Sequence, residues 1–321
     1  MNDEWKLELR LIFVFCAVLL LGILYFYGVG NMRLQNQVIA SKISQLPASF
    51  SDYSPSAKSI FVYAPKSGHM LFAHHEYSVR PLASLSKIMT ATVALEKMEP
   101  NEKITINEEA YASYGDNGLV LNETWPLIDL LKFTLFVSSN DGATAIAQVY
   151  DTKYLNNEPI NNTTFVSQMN TRAQEMSLNS LSFKNPSGLD VDGQASGLGN
   201  ARDIGMLFYT LYLEYPDIVK DSSMFTQTYT SIDGLVHKAL NTNILLEKDY
   251  DRIIGSKTGY TSQAGGNLVV LLDTPLGEPV VLVVLGSSID GRFQEMNTLL
   301  ARTREFTNSL YSLGLTFQNL K

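Results

Sequence analysis

Ser84 and Lys87 lie three positions apart in Ser84-Leu85-Ser86-Lys87, just ahead of the uncharged run Ile88-Met89-Thr90-Ala91-Thr92-Val93-Ala94-Leu95. That run predicts a buried helix. Positions i and i+3 share one helix face, so the lysine can reach the serine hydroxyl. A serine hydroxyl is a poor nucleophile until a base takes its proton. Lysine is such a base only when neutral, and burial or a neighbouring cation lowers its pKa toward that state. Alone the motif is weak: a chain this rich in Ser and Lys contains about one S-x-x-K by chance. A helix cap followed by a surface lysine has the same letters.

Two further clusters supply complementary chemistry. Ser138-Ser139-Asn140 follows a mostly apolar lead-in at 130–137 and precedes Asp141-Gly142-Ala143, which opens another helix. A second hydroxyl can relay a proton, and an amide can hold a peptide carbonyl. Ser177-Leu178-Asn179 has the same pattern without that setting and reads as a decoy. Lys257-Thr258-Gly259 occurs once; chance gives it in about one chain in twenty, as a turn with an exposed lysine. Lys257 is expected to hold a fixed positive charge that depresses the Lys87 pKa and attracts a carboxylate. Gly259 lets a strand backbone approach a ligand closely. The N–H groups of Tyr260 and Ser84 could form an oxyanion hole.

These residues need a frame. Apolar runs at 59–64 and 69–73, split by the turn Pro65-Lys66-Ser67-Gly68, predict a hairpin. Runs at 267–272 and 279–285 predict two strands covered on both faces. A helix is expected at 293–310, and the middle, 96–215, reads mainly helical. Strands at both ends with helices between them imply an α+β fold: an antiparallel sheet whose ends meet, with a helical subdomain on one side.

Residues 11–30 carry no charge and are long enough to cross a bilayer as a helix. Tyr25, Phe26 and Tyr27 suit a membrane interface. The expected organisation is a cytoplasmic tail at 1–10, a transmembrane anchor at 11–30, an irregular polar stalk at 31–56 and a catalytic domain at 57–321. A cleaved signal peptide is the rival, but its apolar region is typically about 7–15 residues. Lys6 and Arg10 before the span nearly balance Arg33 and Lys42 after it, so charge does not set the orientation.

The 321 residues carry a net charge of -8 with no basic run, which argues against nucleic acid as a partner. Cys16 is the one cysteine, so neither a disulfide nor a thiolate metal site is expected. His69, His74, His75 and His237 lack the spacing of a zinc protease and read as ordinary histidines; no metal or cofactor is expected.

The three motifs stand in the order used by penicillin-interacting serine enzymes. From about Ser59 to Leu310 the sequence resembles the low-molecular-weight penicillin-binding proteins of the D-alanyl-D-alanine carboxypeptidase type. The likeness extends to Pro81-Leu82-Ala83 before Ser84, to Asn185-Pro186-Ser187-Gly188-Leu189-Asp190, to Ala201-Arg202-Asp203 and to Ala264-Gly265-Gly266-Asn267-Leu268. The resemblance implies a β-lactamase/transpeptidase-like fold in which Ser84 attacks the bond between two D-alanines of a peptidoglycan stem peptide. Lys87 would take its proton, Ser138 would pass one to the leaving group, and Asn140 would orient the peptide. Lys257, Thr258, Thr261 and Arg292 would gather around the terminal carboxylate. β-Lactam antibiotics would trap Ser84 as inhibitors. Peptidoglycan lies outside the membrane, so the resemblance puts the catalytic domain on the extracytoplasmic side of a bacterial cell membrane, on a single-pass anchor. Two positions depart from the family pattern: Ser139, where Gly or Ala is common, and Tyr260, where His is expected. A carboxy-terminal β-rich domain and amphipathic tail, present in many members, are not expected here, and the amino-terminal helix would serve as the tether.

Three rivals remain. A DD-endopeptidase would use the same residues on cross-links. A β-lactamase of class A would need a deacylating glutamate, and Glu175-Met176-Ser177-Leu178-Asn179 fits those letters, within a helix and turn that lead into Asn185. A non-catalytic wall-binding protein would usually have lost the serine or a lysine.

Overall fold

The computed structural model describes residues 3–113, 115, 118–155, 164–248 and 252–320. The start of the expected tail, Met1 and Asn2, lies outside the described residues. The chain divides into two compact units, Met1–Ala48 with Ser309–Lys321, and Ser49–Asn308.

The first unit is dominated by helix α1 (Asp3–Ile43). At 1.5 Å per residue α1 is about 60 Å long, roughly twice a bilayer's hydrocarbon core. By length and composition it is one helix able to cross a membrane. The expectation of an irregular stalk from residue 31 is corrected here. Residues 31–43 contain no proline or glycine to break the pattern and continue the helix unbroken. Pro47 is the first proline in the chain. Within this unit Lys42 Nζ donates to the Leu313 carbonyl at 2.7 Å.

In the second unit, strands β1 (Ser59–Ala64) and β2 (His69–His74) form the expected hairpin. Helices α2 (Lys87–Lys97), α3 (Leu127–Val137), α4 (Asn140–Leu155), α5 (Phe165–Glu175), α6 (Ala201–Glu214) and α7 (Pro216–Asp221) follow. The chain then returns as β3 (Ile253–Thr261), β4 (Gly265–Leu272) and β5 (Val280–Ser287), and closes with α8 (Gly291–Ser312). The sheet is antiparallel in the order β3-β4-β5-β1-β2. Pairing of Phe61 with Val283 joins the first strand to the last. Leu268–Leu272 and Val280–Leu285 are fully buried, as their unbroken apolar runs predict. Helix α2 is buried from Lys87 to Ala94 and touches α3, α4, α5 and α6. The architecture is the expected α+β fold.

Residues 50–56, at the end of the expected stalk, pack within the second unit. Glu295 on α8 accepts hydrogen bonds from Ser56 N at 2.7 Å, from Ser56 Oγ at 2.6 Å and from the Tyr53 hydroxyl. Arg302 pairs with Asp52 at 2.6 Å, and Phe50 and Tyr53 pack on the Phe72 ring. Burial alone would raise the Glu295 carboxyl. The hydrogen bonds from Ser56 and Tyr53 together outweigh it and hold the pKa below its usual value. A depressed carboxylate stabilises the fold above its unfolded pKa, and that contribution fades as pH falls through the folded value. Glu295→Gln should therefore cost about 1–3 kcal/mol at neutral pH. Denaturant unfolding at pH 7 and at about pH 3 checks this; the deficit should shrink in acid, and an equal deficit at both would refute it.

Candidate active site

Ser84, the predicted nucleophile, sits on a strained turn. Ala83 has φ of 50°, in the left-handed region that costs an alanine about 1–2 kcal/mol. It starts a single 3-10 turn, Ala83–Ser86, that feeds directly into α2. Ser84 is half-buried on that turn, one turn ahead of the α-helix rather than at its first residue. Two devices hold the turn against the sheet. Asn267 on β4 donates to the carbonyls of Pro81 at 3.0 Å and Leu82 at 3.1 Å, and its Oδ1 accepts from Gly286 N at 2.8 Å. Gly259 on β3 faces the same turn: a Cβ there would lie 2.8 Å from the Leu82 carbonyl and 3.3 Å from Ser84 N. The glycine expected to admit a ligand thus first admits the nucleophile's own backbone.

Lys87 Nζ lies 3.0 Å from Ser84 Oγ. It donates to Asn140 Oδ1 at 2.6 Å and to the Ser187 carbonyl at 2.7 Å. Those two oxygens can only accept, whereas a hydroxyl can also donate. A neutral amine therefore spends both N–H groups on Asn140 and Ser187 and turns its lone pair to Ser84. Lys87 is wholly buried, and this burial lowers its pKa to about 7, with Asp141 pulling the other way.

Ser138 ends α3 in the left-handed conformation, φ 65°. Lys257 Nζ donates to Ser138 Oγ at 2.8 Å and to the Thr258 carbonyl at 2.9 Å. Residues 84, 87 and 140 thus form one hydrogen-bonded group and residues 138 and 257 a second, and the charge of Lys87 is felt at Lys257. The expected fixed charge on Lys257 is not what the surroundings favour. Burial pushes Lys257 far down, and the neighbouring cations Lys87 and Arg292 push it further. Lys87 owes its own shift to burial rather than to Lys257. An anion beside Lys257 would offset the repulsion and favour its protonation.

The remaining predicted residues line the β3 side. Thr258 is buried, and its hydroxyl lies 2.6 Å from that of Thr242. Tyr260 is half exposed. Thr261 Oγ1 donates to Asp190 Oδ1 at 3.0 Å and accepts from Ala264 N at 3.2 Å, so this hydroxyl ties β3 to the 185–190 loop. Leu189, Asp190, Tyr260, Thr261 and Ser262 line a cavity of about 450 Å³. Arg292 is buried beside the Phe293 ring and donates to the Gly259 carbonyl at 2.8 Å. Burial lowers its pKa to about 10, against the pull of Asp290. Glu175, the lactamase candidate, ends α5 with an exposed carboxylate 3.4 Å from Arg172 and takes no part in either group.

Comparison with known proteins follows this geometry. The family model described as D-alanyl-D-alanine carboxypeptidase matches residues 47–288, well over half of the chain. The chain belongs to the D-alanyl-D-alanine carboxypeptidase family. It is 32% identical over 228 residues to the D-alanyl-D-alanine carboxypeptidase DacA of Haemophilus influenzae, covering 68% of this chain and 54% of that protein. It is 29% identical over 225 residues to the D-alanyl-D-alanine endopeptidase of Escherichia coli, covering 67% and 66%. The chain thus spans about half to two thirds of the length of these relatives. The crystal structure of penicillin-binding protein D2 from Listeria monocytogenes, in its ampicillin-bound form, superposes with a TM-score of 0.63 at 27% identity, covering 78% of this chain and 98% of that one.

The departures from the family pattern have a local account in one case. Ser139 is buried, and its Oγ accepts from Gly142 N at 3.0 Å, capping the start of α4 rather than facing Lys87. Nothing in the structure explains Tyr260. Three contributors lie in the downstream motifs without a role that their letters reveal. Ser187 acts through its carbonyl, which no side-chain pattern reveals. Gly188 adopts φ 81°, and a Cβ there would lie 1.9 Å from the Ala83 carbonyl, so the 185–190 loop presses on the nucleophile turn. Asn267 stands inside a strand pattern, where a buried amide is the available signal.

Two outcomes follow from the geometry. Below about pH 7 the Lys87 amine is protonated and has no lone pair for Ser84. The second-order rate of Ser84 acylation should therefore climb with pH through about 7 and level off above it; stopped-flow acylation that is flat across that range would contradict the assignment. Gly259→Ala must separate β3 from the nucleophile turn, costing about 1–3 kcal/mol and most of the acylation rate; thermal melts and the same acylation assay measure both.

Proposed function

We propose that the chain is a serine-type D-alanyl-D-alanine carboxypeptidase that removes the terminal D-alanine from peptidoglycan stem peptides. The observation that carries this reading is the Lys87 amine, buried, committed to two acceptor oxygens and left with one position facing Ser84 Oγ. On this reading Ser84 Oγ attacks the penultimate D-alanine carbonyl while its proton passes to Lys87. Negative charge on the carbonyl oxygen is met by the N–H groups of Ser84 and Tyr260. The peptide C–N bond then breaks. The leaving nitrogen takes the proton that Lys87 received, relayed through Ser138, so Lys87 is neutral again and an ester to Ser84 remains. Lys87 next takes a proton from water, whose oxygen attacks the ester; the acyl–Oγ bond breaks and that proton returns from Lys87 to Ser84 Oγ.

Asn140 orients the peptide. Lys257, Thr258 and Arg292 form the cationic and hydroxylic wall that receives the carboxylate, with Gly259 and Thr261 shaping it. Arrival of that anion favours protonated Lys257, which in turn favours neutral Lys87. β-Lactams, bound by the Listeria relative, would acylate Ser84 in the same way. Helix α1 anchors the protein in the bacterial cell membrane, with residues 1–10 cytoplasmic and the catalytic unit outside, where peptidoglycan lies.

The match to the Escherichia coli endopeptidase supports a second reading, cleavage of cross-links between stems by the same residues. One assay separates the two. The protein is given a pentapeptide ending in D-Ala-D-Ala and, separately, a cross-linked stem dimer. The carboxypeptidase reading expects free D-alanine from the first at the faster rate. Ser84→Ala should abolish release and penicillin labelling alike; turnover surviving in that variant would overturn the assignment.

A further inference from the structure

The segment Asn241-Thr242-Asn243 belongs to none of the three motifs, yet it is built into the wall between two of them. Both asparagines are buried. Asn241 donates from Nδ2 to the carbonyls of Ser222 at 3.0 Å and Met224 at 3.1 Å, and accepts from Asn243 N at 2.9 Å. Asn243 donates from Nδ2 to Ser256 Oγ at 3.0 Å and accepts from Leu245 N at 3.2 Å. Ser256 is the neighbour of Lys257 on β3. The amides fix the backbone on both sides of Thr242, which leaves its side chain little freedom.

Thr242 spans the gap between the second and third motifs. Its N–H donates to the Phe136 carbonyl, 3.4 Å away and two residues before Ser138. Its hydroxyl lies 2.6 Å from that of Thr258, the residue after Lys257. Next to it, the Lys257–Ser138 hydrogen bond crosses the same gap. Thr242 therefore touches both walls of the cleft but none of the residues that transfer protons.

Two hydroxyls in contact share one hydrogen, and direction matters. If Thr258 donates to Thr242, its proton is occupied. If Thr242 donates, the Thr258 proton is free for an anion, and donation into its oxygen polarises that O–H further.

We propose that Thr242 is a positioning residue for carboxylate recognition: its hydroxyl donates to Thr258 and turns the Thr258 O–H toward the anionic end of the substrate. The proposal rests on the carboxypeptidase reading above and assigns to that site a residue outside its motifs. Thr242 acts through Thr258 and touches neither Ser84 nor Lys87, so its removal weakens binding rather than chemistry.

The test uses the full-length protein in detergent with the D-Ala-D-Ala pentapeptide. Thr242→Val keeps the shape and removes the hydroxyl; Thr242→Ser keeps the hydroxyl. Thr242→Val should raise KM roughly 5- to 20-fold, the range for losing one hydrogen bond in a chain that ends on a charge, with kcat nearly unchanged. Thr242→Ser should restore KM to within about twofold of wild type. Unchanged KM in Thr242→Val, a loss confined to kcat, or a serine variant as impaired as valine would each overturn the proposal. A valine variant with a lowered melting temperature is judged by the serine variant alone, whose KM must stay near wild type while that of Thr242→Ala rises. If wild type releases no D-alanine, the functional reading itself has failed and the proposal falls with it; normal wild-type turnover beside an indifferent Thr242→Val sinks the proposal alone.

Discussion

A lysine amine held away from water beside one serine hydroxyl is the constraint from which the rest of the catalytic unit follows. Taking an ammonium out of water is costly, and the chain meets that cost by letting the proton go near neutral pH. The amine still needs partners for its N–H bonds, since a buried polar group without them is destabilising. Asn140 at the start of α4 and the Ser187 carbonyl provide them. Both are acceptors, and that choice aims the lone pair. A hydroxyl in place of the Asn140 amide could donate as well as accept and would let the amine point elsewhere. Helices α3 to α6 around α2 keep the site dry, which is why the uncharged run after Lys87 matters as much as the motif.

The second amine shows how position assigns different roles to like groups. Lys87 feels Asp141, which favours its charge; Lys257 feels Lys87 and Arg292, which oppose its own. The two ammonium groups cannot both be comfortable in one buried cleft. On the proposed function, a substrate carboxylate beside Lys257 would offset that repulsion. On this view the charge on Lys257 is conferred by what binds, whereas Lys87 owes its readiness to burial.

Much of this arrangement was legible in the sequence, for physical reasons. The S-x-x-K spacing fixes a helix face, and the apolar runs at both ends of the catalytic unit had to pair because each is hydrophobic on both sides. What could not be read were contributions without a side-chain signature. The carbonyl of Ser187 and the positive φ of Ala83 and Ser138 are backbone facts that ordinary residues conceal. The irregular backbone expected from residue 31 was misjudged for a different reason. Its polar composition suggested coil, but a helix needs only the absence of breakers, and residues 50–56 carry the aromatic and hydroxyl groups that Phe72 and Glu295 receive. The proton balance between Lys87 and Lys257 depends on surroundings drawn from Asp141 and Arg292, far apart in the chain.

The site is also a consequence of how the sheet closes. Ser84 enters soon after the first hairpin, whereas Lys257, Gly259 and Asn267 come from strands formed near the other end of the chain. Pairing of β1 with β5 brings those halves together, but pairing alone leaves the nucleophile turn free to lift away from the sheet. Asn267 prevents this with two hydrogen bonds to the carbonyls of Pro81 and Leu82, while its own oxygen is tied to β5 through Gly286 N. The strain in Ala83 is therefore opposed by contacts from β3 and β4 together. A turn held that way keeps Ser84 Oγ in place without calling on a ligand to order it, and on the proposed function this leaves binding energy for recognition of the carboxylate.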